Sequence, residues 1–498
     1  MEQRRQRKDN SGYLMHLILI VLFLFLAVSL IVKSCIPAVP GSSAGNNNNP
    51  ENPVISGDPV DPDDPDDPDD PTDPDDPTEP DDPTEPTEPY VTSTASIGVT
   101  GDILLHGPVL RSVPRSGEYY DFKECFQYIK AYYESYDFMI ANLEVSLGGS
   151  AAGEYKGYPI FNSPDSIIDT LQWAGVDMLL TANNHCYDTG HNGFIRTQEV
   201  LNEKGMLYNG TQLSEDDPNY TVQNINGIKV GMVTYTYDTG RTESGNMTLN
   251  GLLVRMEDTN LVNHFDYSHM DQFYSEVESA ISSMEAEGAD VVMFFIHWGN
   301  EYQTTPSTTQ QKIAQNLCNL GVDVIVGGHP HVVQPMDVLT SETGETTYCI
   351  YSTGNALSNQ RRSQITSAPN GHTEDGMIFG VEFQRWSDGS VTISDIDVTP
   401  LWVSLDYSGN DSTYTIIPVD VDYNSDEALT VFAQDMNNAL DEDLPESTIK
   451  SFFTSHTNSI NGSYNRTMQI LGTTLDECRQ ALGIDSVEED PNSEETPQ

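Results

Sequence analysis

Residues 289–331 read ADVVMFFIHWGNEYQTTPSTTQQKIAQNLCNLGVDVIVGGHPH, and they decide the fold. ADVVMFFIHWG opens the stretch and VDVIVGGH closes it. Both are short apolar runs rich in β-branched and aromatic residues, the pattern of strands buried on both faces. A helix from Thr308 to Leu320 is expected between them. Strand, helix and strand in this order predict a largely parallel α/β sheet. Each strand also ends in a polar anomaly. His297 and Glu301 follow the first; His329 and His331 follow the second. In α/β sheets ligands collect at the carboxyl ends of the strands.

The same rhythm extends toward the N-terminus. The folded part is expected to begin near Val91, where TASIGVTGDILL (94–105) runs from strand into loop. A helical pattern at Phe122–Tyr133 and a strand at Asp137–Asn142 follow. Ser163-Pro164-Asp165 is a helix start, with proline in the first turn. VDMLLTA (176–182) is the next strand, and a helix follows Gly190. Beyond Tyr348 the texture changes to CIYSTGNAL, GMIFGVEFQRW and SVTISDIDVTPLWV, with a hairpin turn at Asp388-Gly389. These strands are expected to form a second sheet against the first. After Pro400 only helical patterns near Glu427–Leu440 and Leu475–Leu482 are legible.

Polar residues recur at the other strand exits too. Asp102 follows the first strand, Asn142 and Glu144 the second, and Asn183, Asn184, His185 and Asp188 the third; Asn355 follows YST. Each piece alone has a structural reading: Gly101-Asp102 as a turn, Asn183-Asn184-His185 as a helix cap, His297 as a core histidine. Gathered at one sheet end, imidazoles, carboxylates and an amide suit one or two divalent ions of the Mn, Fe or Zn type. Cys186 beside His185 is no thiol-imidazole pair, because adjacent side chains rarely face each other productively.

GDILLH (101–106), NLE (142–144), ANNHCYDTG (182–190), HWGNEY (297–302), GGHPHVVQP (327–335) and YSTGNALS (351–358), in this order, resemble the motif series of the CapA, or poly-γ-glutamate capsule synthesis, family. That family is similar to calcineurin-like metallophosphatases. The resemblance implies an α/β/β/α sandwich of two mixed sheets, and it implies Asp102, Glu144, Asn184, His297, His329 and His331 as metal ligands. It makes His185 the acid that protonates a leaving group. Asp188 and Glu301 join it as candidate catalytic residues, with Asn142, Asn183, Tyr351, Asn355, Arg361 and Arg362 as candidate substrate contacts. Two departures matter. Leu104 stands where phosphatases carry a first-motif histidine, with His106 two residues further on, and Glu144 replaces an aspartate. The expected function is a metal-dependent hydrolase or transferase on a surface polymer such as poly-γ-glutamate, working with membrane capsule-synthesis subunits. A non-catalytic scaffold subunit is the alternative.

Composition sets the surroundings. The 498 residues carry 77 acidic against 22 basic side chains, a formal charge of -55. Nucleic acid, bound chiefly by neutralising phosphates, is excluded as a partner. Arg4, Arg5, Arg7 and Lys8 in a basic tail (1–12) precede an apolar run that predicts a transmembrane anchor at 13–33. A cleaved signal peptide has a similar layout, but Lys33 before Cys35 spoils both a cleavage site and a lipoprotein site. The cell membrane, with the main domain outside, is the expected location. Residues 34–91 are a proline- and aspartate-rich spacer with almost no apolar side chain to bury. At about 3.1 Å per residue, some fifty residues reach on the order of 150 Å. The remaining divisions are a CapA-like domain at 92–400, a helical extension at 401–484 and an acidic tail at 485–498. Six scattered cysteines without a CxxC pair argue against a thiolate zinc site.

Overall fold

A computed structural model describes residues 88–367, 372–408 and 411–484. The basic tail, the anchor, nearly all of the spacer and the acidic tail lie outside the described residues. Among the described residues no helix is long and apolar enough to cross a membrane. The chain opens with β1 (Val91–Ile103), β2 (Phe138–Leu143), α1 (Ser166–Trp173), β3 (Met178–Leu180), α2 (Gly190–Lys204) and β4 (Leu207–Asn209). These four strands pair in parallel, in sequence order. A hairpin of β5 (Thr221–Ile225) and β6 (Ile228–Tyr237) then starts a second sheet. It continues through β7 (His264–Phe265), α3 (Met270–Ala286), β8 (Val291–His297), α4 (Thr308–Asn319), β9 (Val324–Gly328), β10 (Met336–Thr340) and β11 (Thr346–Ile350). The chain returns to the first sheet with β12 (Asn355–Leu357), β13 (Asp375–Trp386), β14 (Val391–Ser408) and β15 (Asp411–Pro418). Two helices, α5 (Asp426–Ala439) and α6 (Glu446–Ala481), end the described chain.

Two mixed sheets result. The first runs β15-β14-β13-β1-β2-β3-β4 with β12 beside β1; the second runs β7-β6-β8-β9-β11-β10 with β5 beside β6. The expected two-sheet architecture is therefore present with its strands distributed differently. The parallel strands do not form one sheet; they divide between two, and the late strands extend the first sheet instead of founding another. The cause is the length of β1. Its 13 residues leave one long edge, which β13 covers antiparallel from Val91↔Trp386 to Thr100↔Ile378. The boundary expected at residue 400 falls inside β14, and strand continues to Pro418. The helix expected at Phe122–Tyr133 is two short turns, Lys123–Phe126 and Lys130–Tyr133.

Side-chain alternation explains the layers. In β8, Val291, Met293 and Phe295 enter the core between the sheets, with Ile97, Val99, Ile140, Met377 and Phe379. Val292, Phe294 and Ile296 face the other way, onto Phe273, Val277 and Ile281 of α3 and Ile313 and Leu317 of α4. A capping box between Ser307 and Gln310 starts α4. The last helix belongs to the same body. Leu471, Leu475 and Cys478 reach the intersheet core, and Arg466 Nε donates to Asp375 Oδ2 at 2.6 Å.

Candidate metal centre

His297 is the next residue of the Val291–Met293–Phe295 series, so it emerges between the sheets where β8 ends. Simple alternation would turn Asp102 away from Ile97 and Val99. The register between β1 and β2 shifts from Thr100↔Ala141 to Asp102↔Asn142, so Gly101 is an extra residue. Such a bulge re-aims the next side chain, and it brings Asp102 to the centre. Only glycine fits at 101, since a Cβ there would lie 1.9 Å from the Gly354 carbonyl oxygen. His329 and His331 follow β9 with φ of 91° and 56°, a left-handed backbone that turns both rings inward.

All six implied ligands are buried and gathered together. His297 Nε2 lies 2.8 Å from Asn184 Oδ1 and 3.4 Å from Glu144 Oε1. His331 Nδ1 lies 3.0 Å from Asp102 Oδ2, and its Nε2 3.8 Å from Glu144 Oε1. Two ligands on one ion, each about 2.1 Å from it, stand about 3.0–3.4 Å apart at right or tetrahedral angles, a window that holds the His297–Glu144 and His331–Asp102 spacings. Glu144 is common to two groups, one with His329 and His331 and one with Asp102 and His297. Both Glu144 oxygens and His329 Nδ1 are buried with no hydrogen-bond partner. Orphaned polar atoms in a native interior call for an absent partner, and a divalent cation is the partner that two carboxylates and three imidazoles share.

Electrostatics agree. Burial raises the Asp102 carboxyl, but His331, His297 and Asn142 outweigh it and hold it below the usual carboxylate range. Burial and the neighbouring His297, His331 and His185 push His329 well below the usual imidazole value. Burial would lower His331 too, yet Glu144 and Asp102 push it up to about 9. Without a metal, a proton on His331 thus offsets the buried carboxylates at neutral pH. A metal ligand must be deprotonated, so binding releases that proton. Calorimetry at pH 7 in buffers of differing protonation enthalpy is expected to show about one proton released. Apparent affinity should rise about tenfold per pH unit up to about 9. Binding without proton release would contradict the assignment of His331.

Beside the ligands stands a second pair. His185 Nδ1 lies 2.8 Å from Asp188 Oδ2, which also accepts from the Phe161 N–H at 2.7 Å. Asn250 Nδ2 donates to Asp188 Oδ1 at 2.8 Å, and Phe161 meets the His185 ring edge-on at 4.8 Å between centroids. His185 Nε2 has no protein partner among the described residues.

The expected substrate contacts fare differently. Asn142 donates to Asp102 Oδ1 at 2.7 Å, and Asn183 donates to Asn142 Oδ1 and the Leu143 carbonyl, so both brace ligands. Asn355 braces His331 through contacts to Nδ1 and to the carbonyl oxygen. Tyr351 is not at the site. It follows Ile350 on the opposite strand face, stacks on Trp298 and donates to Asp337. Arg361 is buried, paired with Glu374 and donating to the Val403 carbonyl, while exposed Arg362 donates its backbone N–H to Glu374. Arg361 is therefore not placed as a substrate cation. Glu301 is exposed, with no hydrogen bond to a ligand among the described residues. His106 packs edge-on against Phe161 and accepts from the Asn359 N–H, outside the ligand cluster. Burial pushes the Cys186 thiol up to about 12, which removes it as a nucleophile. The five cysteines among the described residues are all free and buried. Sequence reasoning missed Phe161, Tyr237 and Asn250. Only the last carries a structural oddity, a φ of 45°.

Comparison with known proteins supplies the wider setting. The family model for bacterial capsule synthesis protein PGA_cap matches residues 96–360, more than half of the chain. A capsule biosynthesis protein CapA of Bacillus anthracis is 27% identical over 244 residues, 48% of this chain and 55% of that protein. The chain thus spans only about half the length of that relative. A PGA biosynthesis protein CapA of Bacillus subtilis strain 168 is 23% identical over 307 residues, 61% of this chain and 71% of that protein. Among solved structures, the Haemophilus influenzae NAD nucleotidase NadN aligns at a TM-score of 0.38 and 12% identity, covering 74% of this chain and 68% of its own. The chain belongs to the bacterial capsule synthesis protein family described as PGA_cap.

Proposed function

We propose that this chain is a metal-dependent hydrolase or transferase acting on a surface polymer during capsule formation, with poly-γ-glutamate the first polymer to test. The observation that carries the reading is Glu144. Its two buried, unpartnered oxygens are common to two groups of histidines and carboxylates, and the His185–Asp188 pair directly follows the ligand Asn184 in the chain. The relatives' names supply the process. Asp102, Glu144, Asn184, His297, His329 and His331 would hold a divalent Mn, Fe or Zn ion, which would supply neutralisation of negative charge developing on a carbonyl or phosphoryl oxygen. The chain's own groups do the rest. Asp188 fixes Nδ1 of His185, and Nε2 delivers a proton to the departing group. Phe161 and Asn250 keep that pair from turning away.

The basic tail and apolar run before the spacer support a membrane-anchored protein with this domain outside the cell. The full chain, expressed in its membrane and assayed for metal content and for cleavage of γ-glutamyl oligomers and phosphodiesters, tests both parts. Near-stoichiometric metal, lost with His329→Ala/His331→Ala together with turnover, is the expected result. Protease added to intact cells should degrade the domain. Metal-independent turnover would refute the chemistry, and protection from protease the location. A scaffold role gains one observation of its own. Leu104 is buried where a first-motif histidine would stand, and His106 lies outside the ligand cluster.

A further inference from the structure

Tyr237 ends β6, the strand beside β8, where Thr236 pairs in register with His297. No sequence motif marks it. Its hydroxyl lies 3.0 Å from His329 Nε2, and the two rings stand 5.0 Å apart at 57°. The other nitrogen of that ring, Nδ1, is buried without a partner, and His329 forms a group with Glu144 and His331.

A neutral imidazole has one N–H and one lone pair. If Nε2 carried the lone pair, the N–H would sit on Nδ1. A buried donor would then point into a cluster that already holds a second imidazole. If Nε2 carries the hydrogen, the lone pair on the unpartnered Nδ1 is free for an ion, and the N–H needs an acceptor. The Tyr237 oxygen is that acceptor at hydrogen-bond distance. Ligating histidines are generally held by such an outer bond, which sets tautomer and ring orientation.

We infer that Tyr237 is the positioning residue of the metal centre: it holds the His329 N–H at Nε2 and so commits Nδ1 to the ion. This rests on the metal reading above. The second tyrosine at the strand's end, Tyr235, is buried in the helix-facing core and has no part in this.

The test is Mn and Zn affinity of the full chain by competition with a chelator, for wild type, Tyr237→Phe and Tyr237→Leu. Phe keeps the ring and removes only the oxygen. Tyr237→Phe is expected to bind roughly 10–100-fold more weakly, with the metal-free melting temperature unchanged. Nitrogen NMR of the zinc-loaded wild type should place the His329 hydrogen on Nε2 and the ion on Nδ1. Wild-type affinity in Tyr237→Phe with weakening only in Tyr237→Leu would overturn the inference, leaving Tyr237 a packing residue. Unchanged affinity in both variants would overturn it equally. A wild type that binds neither metal would overturn the metal reading and this inference together.

Discussion

Glu144→Gln is expected to abolish stoichiometric metal binding, with a loss of at least about a thousandfold in affinity, while leaving the metal-free protein as stable as wild type or more so. The reasoning turns on what the carboxylate does when no ion is bound. Both oxygens are fully buried and accept no hydrogen bond, and the nearest imidazole nitrogens are His297 Nε2 at 3.4 Å and His331 Nε2 at 3.8 Å. A buried charge without hydrogen bonds costs several kcal/mol in real proteins, and those two distances exceed contact geometry. The amide keeps shape and volume and drops a charge that no hydrogen bond satisfies, which offsets the attraction to His331 lost with it. The loaded protein loses the one ligand common to both groups. Chemical denaturation with chelator present and with Mn or Zn in excess measures the two arms. In wild type the ion should raise the midpoint strongly, by the logarithm of its concentration over Kd; in Glu144→Gln it should not. A variant that is less stable by 2 kcal/mol or more without metal, and still bound metal, would make Glu144 a structural residue and remove the main support for a metal centre.

How far the sequence carried the centre depends on what each residue breaks. His297, His329 and His331 were legible because an imidazole at the end of an apolar run has no core reason to be there. Asp102 was legible as a residue but not as a direction: the Gly101 bulge that turns it inward leaves no mark except a glycine. Tyr351 failed for the complementary reason. Its motif neighbours reach the site, but strand parity places it with Cys349 on the helix-facing side. Arg361 read as a free cation because its pairing with Glu374, 13 positions away, has no local signature. Sheet membership was beyond periodicity altogether. A strand buried on both faces looks alike in either sheet, and only the long edge of β1 decides which strands it recruits. Phe161 and Asn250 are set by tertiary contacts to Asp188, and Tyr237 ends an unremarkable strand.

The second large effect separates a catalyst from a scaffold. With a substrate whose leaving group is a poor one, such as an alkyl alcohol or an amine, His185→Ala is expected to lower kcat by about 10²–10⁴-fold with metal content unchanged. With a p-nitrophenyl ester of the same acid the loss should shrink to about tenfold or less, because p-nitrophenolate departs without a proton. The contrast follows from geometry. Asp188 is buried and takes His185 Nδ1, the Phe161 N–H and the Asn250 amide at 2.7–2.8 Å, so its charge is held by donors and lies against the imidazole. That arrangement sets a buried carboxylate against Nδ1 and leaves Nε2 without a protein partner among the described residues. Asp188→Asn should follow the same leaving-group dependence at smaller amplitude, since the amide keeps the ring in place and loses only the stabilisation of its charge. Equal losses on both substrates would mean that His185 positions the substrate and moves no proton. Turnover on neither substrate, in a metal-loaded wild type, would leave the Leu104 departure as the deciding feature and make the centre a rigid element of a polymer-assembly scaffold.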